Sequence, residues 1–243
     1  MRKTAKLDLL FWIMKICAAT LGGTVGDFLS ISANVGLSLR LLVLAVVCLV
    51  PLVVQIRAKK FHAVLFWPAV LSAGAAGTAV SDFMTHALKL GQVRSQWMLF
   101  AALVAVLAVW RASEKTLSLN RMHRRRAEVF FWAAVVVSGA LGAAMELRGA
   151  DGGLPVGAVE LVGLLTLVVV IFFSTRWSRT VLFWSAFVLT GPIGMATGDL
   201  LSRPFANGGL GLGSIASSAL LVCLLAMLLF FADRQEKDMT ARS

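Results

Sequence analysis

Long apolar runs separated by short polar or basic stretches occupy almost the whole chain. Eight such segments can be drawn, at about 9–29, 35–55, 62–84, 95–111, 128–148, 154–174, 180–201 and 209–232. Each approaches the ~20 residues that a helix needs to cross ~30 Å of hydrocarbon. Runs such as 41–54 lack period-2 alternation, which excludes barrel strands and predicts helices. The connections are short, so consecutive helices are expected to form antiparallel hairpins.

Composition narrows the class. Of 243 residues, 59% are hydrophobic and only 14% are charged. Too few polar residues remain to cover a soluble domain, and disorder, coiled coil and a disulfide scaffold are excluded as well. The expectation is an all-α polytopic membrane protein, a single transmembrane domain over 1–243 with a short cytoplasmic tail at 233–243. The net charge of +11 would suggest nucleic acid in a soluble protein. Here the basic residues sit between apolar runs, so the expected partner is the lipid bilayer and not nucleic acid. Counting alternate loops gives 17 Lys and Arg on one side against 5 on the other, with Lys15 inside a span. The positive-inside rule then puts both termini in the cytoplasm. The first segment follows Arg2, Lys3 and Lys6 but has no small-residue cleavage site. It also recurs later in the chain, so a retained span is expected and not a signal peptide.

That recurrence is the most informative pattern. Phe-Trp occurs at Phe11-Trp12, Phe66-Trp67, Phe131-Trp132 and Phe183-Trp184. Eleven residues after each Phe stands a glycine: Gly22, Gly77, Gly142 and Gly194. Sixteen residues after it stands Asp27, Asp82 or Asp199, while the third copy has Leu147 there and Glu146 one step earlier. The pattern predicts four parallel-repeat hairpins, about 9–55, 62–111, 128–174 and 180–232, related by an axis along the membrane normal. Phe-Trp marks the cytoplasmic level of each, with Trp as interfacial anchor in a chain without tyrosine. The acids then lie about 24 Å further along, at a common depth. The first helix of each hairpin is rich in small residues, as in Gly22/Gly26, Gly74/Thr78, Gly139/Ala143 and Gly194/Gly198, which suits close helix packing. The second helices are bulky and apolar all round, which suits lipid contact. Four central and four outer helices are therefore expected.

The stretches FWIMKICAATLGGTVGDFL (11–29) and FWSAFVLTGPIGMATGDLLSRPFANGGLGLGS (183–214) resemble the first and last repeats of a bacterial family of uncharacterised multi-pass membrane-anchored proteins. The resemblance implies an inner-membrane protein built from repeated hairpins and carries no settled activity. Gly23 stands where that family has a glutamate, and Gly191 where it has an arginine.

Carboxylates at membrane depth are costly and tend to face a bundle interior or a water cavity. Asp27, Asp82, Glu146 and Asp199 are accordingly the candidate ligands for a hard divalent cation, or carriers of protons. Thr24, Thr78 and Thr197 precede the acids and could add oxygen ligands. Glu160, near the start of the sixth span, and Lys15 complete a candidate substrate path. Lys15 is expected to snorkel to the cytoplasmic surface. The competing structural reading has the acids reach headgroup water, cap a turn, or pair with Arg40, Lys89, Arg94 or Arg203. The glycines of 208–214 lack the Lys-Ser/Thr of a phosphate loop and suit a tight re-entry into the last helix. No enzyme signature or cofactor motif stands out, so neither catalysis nor a cofactor is expected. The functional expectation is a small secondary transporter or exporter of a cation. The alternative is a non-transporting scaffold or accessory protein with a structural polar ring. Oligomeric state is left open.

Overall fold

The computed structural model describes residues 9–32, 36–58, 62–114, 125–145, 179–202, 204–205 and 208–241, together with the single helical positions 163, 166 and 170. Side chains are described for these residues except 26–32, 37, 179–181, 199, 233 and 235–241. The described elements are helical. They are α1 (Leu9–Ser32), α2 (Leu37–Arg57), α3 (Ala63–Asp82), α4 (Gln92–Glu114), α5 (Arg125–Ala144), α6 (Arg179–Ser202) and α7 (Gly213–Ala241). Of the span expected at 154–174, which would complete the third hairpin, only positions 163, 166 and 170 are described, and the rest lies outside the described residues. The last helix continues through the segment expected to be a tail.

Five of the helical segments are long and apolar enough to cross a membrane: Ser38–Arg57, Ala63–Ala87, Gln92–Glu114, Arg125–Ala144 and Gly213–Ala232. Among the described residues, three prolines lie inside helices, Pro51 in α2, Pro68 in α3 and Pro192 in α6. Such breaks in the hydrogen-bond ladder are tolerated in membrane bundles, where neighbouring helices supply alternative partners. After α3 the chain makes one wider π-turn, Phe83–Ala87. It then turns tightly through Lys89 (φ 53°) and Gly91 (φ 74°) into α4.

The four Phe-Trp helices form a closed ring. α1 packs on α3, α3 on α5, α5 on α6, and α6 back on α1. The repeated glycine makes each of these contacts. A methyl group on Gly22 would lie 3.2 Å from the Ala75 nitrogen, and one on Gly77 would lie 2.6 Å from the Ala140 nitrogen. On Gly142 it would lie 3.1 Å from the Gly191 Cα, and on Gly194 2.8 Å from the Thr20 nitrogen. The partners fall about eight or nine residues after the Phe of the next helix, so one contact recurs around the ring and the four helices run parallel. Hydrophobicity does not drive helices together in lipid, whereas close backbone packing does. Small residues at these positions are therefore what holds the ring. Gly74, expected on the same face, has nothing within 4 Å of where its Cβ would be. The tight spot on α3 is Gly77.

The outer helices do not pack mainly on their own hairpin partners. α2 lies against α3, α4 against α5, and α7 against α1 and, less extensively, α6. Each thus covers the inner helix of the following repeat, and the last covers the first. In their most apolar stretches, α2, α4 and α7 are only 28%, 22% and 17% buried, against 61% for α3 and α5. Their outward side chains include Leu42, Val46, Val50, Phe100, Val104, Leu220 and Phe230. Such a surface suits a lipid solvent. The protein is an all-α membrane protein with small-residue helices inside and bulky apolar helices outside.

Candidate functional site

The two ends of the ring differ in chemistry. At the Phe-Trp end the aromatic pairs interlock cyclically. Phe11 packs on Trp67 with ring centroids 5.4 Å apart, Phe66 on Trp132 at 5.4 Å, Phe131 on Trp184 at 6.1 Å, and Phe183 on Trp12 at 5.9 Å. All but Trp12 are buried. This corrects the expectation that the paired tryptophans are interfacial anchors: three of the four indoles close the bundle. Among the described residues, Trp97, at the start of α4 and 68% exposed, is the tryptophan with the amphipathic setting of an anchor.

Lys15 also departs from expectation. One turn beyond Trp12, its side chain is 7% exposed, and its Nζ lies over the Phe187 ring, 4.3 Å from the centroid. It does not snorkel to the surface, because the aromatic ring closes over that route. Lys15 and Phe187 stand four residues after their respective Phe, where the other copies have the buried Val70 and Val135. A cation over a benzene ring gains about 0.5–2 kcal/mol. Removing an ammonium from water costs several kcal/mol. The ring contact alone therefore leaves the charge under-compensated.

At the opposite, carboxylate end, each outer helix turns a polar group toward the inner helix it covers. Arg40 of α2 donates to the Asp82 carboxylate of α3 in an ion pair. Gln92 and Gln96 of α4 both donate to the Ala144 carbonyl near the end of α5, at 3.3 and 2.6 Å. Ser218 of α7 donates to the Thr24 hydroxyl of α1 at 3.3 Å. Orphan carbonyls at a helix end need such partners when water is scarce. The two glutamines, four residues apart on one face of α4, were not singled out by the sequence patterns, although their spacing marks a polar stripe on an apolar helix.

The acids were expected to gather. Asp82 is described and pairs with Arg40, whose side chain is 7% exposed against 34% for the carboxylate. The His86 ring Nδ1 lies 3.2 Å from the Asp82 backbone carbonyl. The backbones of residues 27 and 199 continue α1 and α6 at the register of Asp82, but the Asp27 and Asp199 side chains, Glu146 and Glu160 lie outside the described residues. Among the described residues no group of three His, Cys, Asp or Glu side chains could hold a metal ion. The threonine hydroxyls donate to their own helices: Thr24 to Leu21 at 3.0 Å, Thr78 to Ala75 at 2.7 Å and Thr197 to Ile193 at 2.8 Å. Their hydrogens are thereby satisfied and lone pairs remain, so they can accept hydrogen bonds or offer oxygen to a cation. Glu128, three residues before Phe131, is 2% exposed at the aromatic end and was not singled out either. Aligning the copies would have found it, since Asp8 stands at the same offset before Phe11.

The glycine-rich stretch after α6 folds back as expected. Gly208, Gly211 and Gly213 have φ of 78°, 68° and 74°. Leu210 N–H donates to the Leu200 carbonyl at 2.7 Å and Leu212 N–H to the Leu201 carbonyl at 3.2 Å. The loop thereby caps α6 and re-enters as α7.

A family model described as "Repeat of Unknown Function (DUF347)" matches three times, over residues 10–61, 65–116 and 182–238. The matches coincide with the first, second and last expected hairpins. The third expected copy lies outside them, yet its α5 occupies a place in the ring equivalent to the other three helices. No curated protein and no solved structure matches the chain.

Proposed function

The chain belongs to the DUF347 repeat family, and we propose that it is a small secondary transporter or exporter of a cation, a divalent metal and/or protons, in the bacterial inner membrane. The carrying observation is the polarity of the ring: closed by interlocked aromatics at one end, and bearing a carboxylate at the repeat's acid position at the other. In this reading Asp27, Asp82, Glu146 and Asp199 receive the cation or its exchanging protons from the outer side. Thr24, Thr78 and Thr197 supply neutral oxygens. Glu160 lines the same route, and Lys15 stands at its inner end. The aromatic ring is the closed cytoplasmic barrier, and passage requires the Phe-Trp pairs to part as the repeats rock. Both termini are cytoplasmic, the protein works as four hairpins in the bilayer, and it needs neither a cofactor nor a catalytic group.

One observation favours the second reading, a non-transporting scaffold. The partner of Asp82 is Arg40 on an outer helix, so this acid serves to tie α2 to α3. The test is flux in proteoliposomes for Mn²⁺, Mg²⁺, Ca²⁺ and internal pH, comparing wild type with a folded Asp27→Asn/Asp199→Asn variant. Flux that disappears in the variant is expected. Absence of flux for all of these, or flux untouched by the double substitution, overturns the cation reading in favour of the scaffold.

A further inference from the structure

Lys15 sits where the other three repeats are apolar. The equivalent positions are Val70, Val135 and Phe187, all buried. Repetition would have placed an apolar side chain here too, so the charge is a departure confined to one position of the ring. Its ammonium has three donors and no acceptor. In the described structure the Phe187 face is what meets it, and no described carboxylate lies in ion-pair range. Beyond Phe187 stands a buried donor that is short of an acceptor. The Trp184 Nε1–H is buried without a hydrogen-bond partner, and its ring lies 5.5 Å from that of Phe187. Trp110, whose ring is 6.3 Å from that of Trp184, has a buried unpartnered Nε1–H as well.

These donors lie along one row of packed rings, Lys15–Phe187–Trp184–Trp110, and an acceptor with negative charge would complement both the ammonium and the indoles. We propose that Lys15 anchors a binding site for a small monovalent anion of the chloride class, between α1 and α6 just inside the aromatic ring. Size argues for a monatomic or similarly small anion, because the surroundings are packed aromatic rings. The unpartnered indole N–H groups suit a soft, weakly hydrated anion. This site is distinct in place from the carboxylate end. Positions 15 and 27 are separated by about 18 Å along α1. The proposal does not depend on the cation reading, and its test measures binding and not flux.

The test uses the full chain in detergent at constant ionic strength, replacing gluconate stepwise by chloride and following tryptophan fluorescence and the unfolding midpoint. Wild type should give a saturable chloride response in both. Lys15→Met should weaken it about tenfold or more, while Lys15→Arg and Asp82→Asn should keep it. Lys15→Gln, which retains a donor but not the charge, should also lose the response, and it serves if the methionine variant does not fold. A wild type without saturable response, or a methionine or glutamine variant that responds like wild type, overturns the proposal.

Discussion

Replacing Gly77 by alanine tests what holds the ring together. The new methyl carbon would lie 2.6 Å from both the Ala140 nitrogen and the Gly139 carbonyl carbon. These are backbone atoms of α5, which cannot turn aside as a side chain can. Non-bonded carbon contacts settle at roughly 3.5–4.0 Å, so α3 and α5 would have to part by about 1 Å at this level. Overpacking of this kind costs about 1–3 kcal/mol. Alanine's better helix propensity returns up to about 1 kcal/mol. The net expectation is a loss of roughly 1–2 kcal/mol. The control lies on the same helix: nothing stands within 4 Å of a Cβ on Gly74, so Gly74→Ala keeps only the propensity gain. Unfolding midpoints of the purified proteins in detergent should fall in the order Gly74→Ala at or above wild type, then Gly77→Ala clearly below both. A Gly77→Ala protein as stable as Gly74→Ala would refute the claim that backbone contact at the repeated glycine holds the helices.

Three further outcomes are expected. Asp82→Asn leaves the buried Arg40 guanidinium facing a neutral amide and should cost about 1–3 kcal/mol, less than for a fully buried pair because the carboxylate is one-third exposed. The Arg40→Met/Asp82→Asn double variant should recover part of that loss, and equilibrium unfolding of the four-protein cycle would expose strict additivity, which contradicts the pairing. Gln92→Leu/Gln96→Leu should lower stability by about 1–3 kcal/mol by leaving the Ala144 carbonyl without donors, and calorimetry that finds no change would remove these bonds from the account. Phe66→Ala opens the aromatic ring between α3 and α5 and should cost about 3–5 kcal/mol. In folded protein it should raise passive proton leak into liposomes, and unchanged leak would deny the ring its sealing role.

Much of the architecture was legible because the repeat carries it. The offset from Phe11 to Gly22, copied at Gly77, Gly142 and Gly194, marks the residue that must be small for the next helix to approach. The contrast between small-residue and bulky helices likewise reports which face lipid. What one copy cannot encode is whom it touches. That α2 covers α3, and α7 covers α1, follows from closing four units into a ring, a property of the set. The same closure turned Trp67, Trp132 and Trp184 inward, where a chain without tyrosine suggested interfacial anchors. Lys15 illustrates a further limit. Snorkelling is the usual escape for a lysine one turn below the interface, and only the aromatic cover, formed between repeats, blocks it. At the carboxylate end, the tie between Asp82 and Arg40 was among the pairings that charge and proximity allowed. The choice among them depended on α2 leaning toward the second repeat.

The handing-on of the described outer helices to the following repeat has a consequence for synthesis. If the chain inserts in sequence order, α1 enters the bilayer before the other described helices and is the last of the inner ones to receive its cover. Its two remaining neighbours, α6 and α7, are translated only at the end. Until then Gly22 can meet α3, but the Thr20 side that accepts Gly194 faces lipid or the insertion machinery. A ribosome stalled before residue 179 would therefore leave an open arc and not a smaller finished bundle. Early termination products should be recognised and degraded, whereas a chain whose ends were rejoined at 9 and 241 and reopened between two other hairpins would keep every neighbour relation it has now.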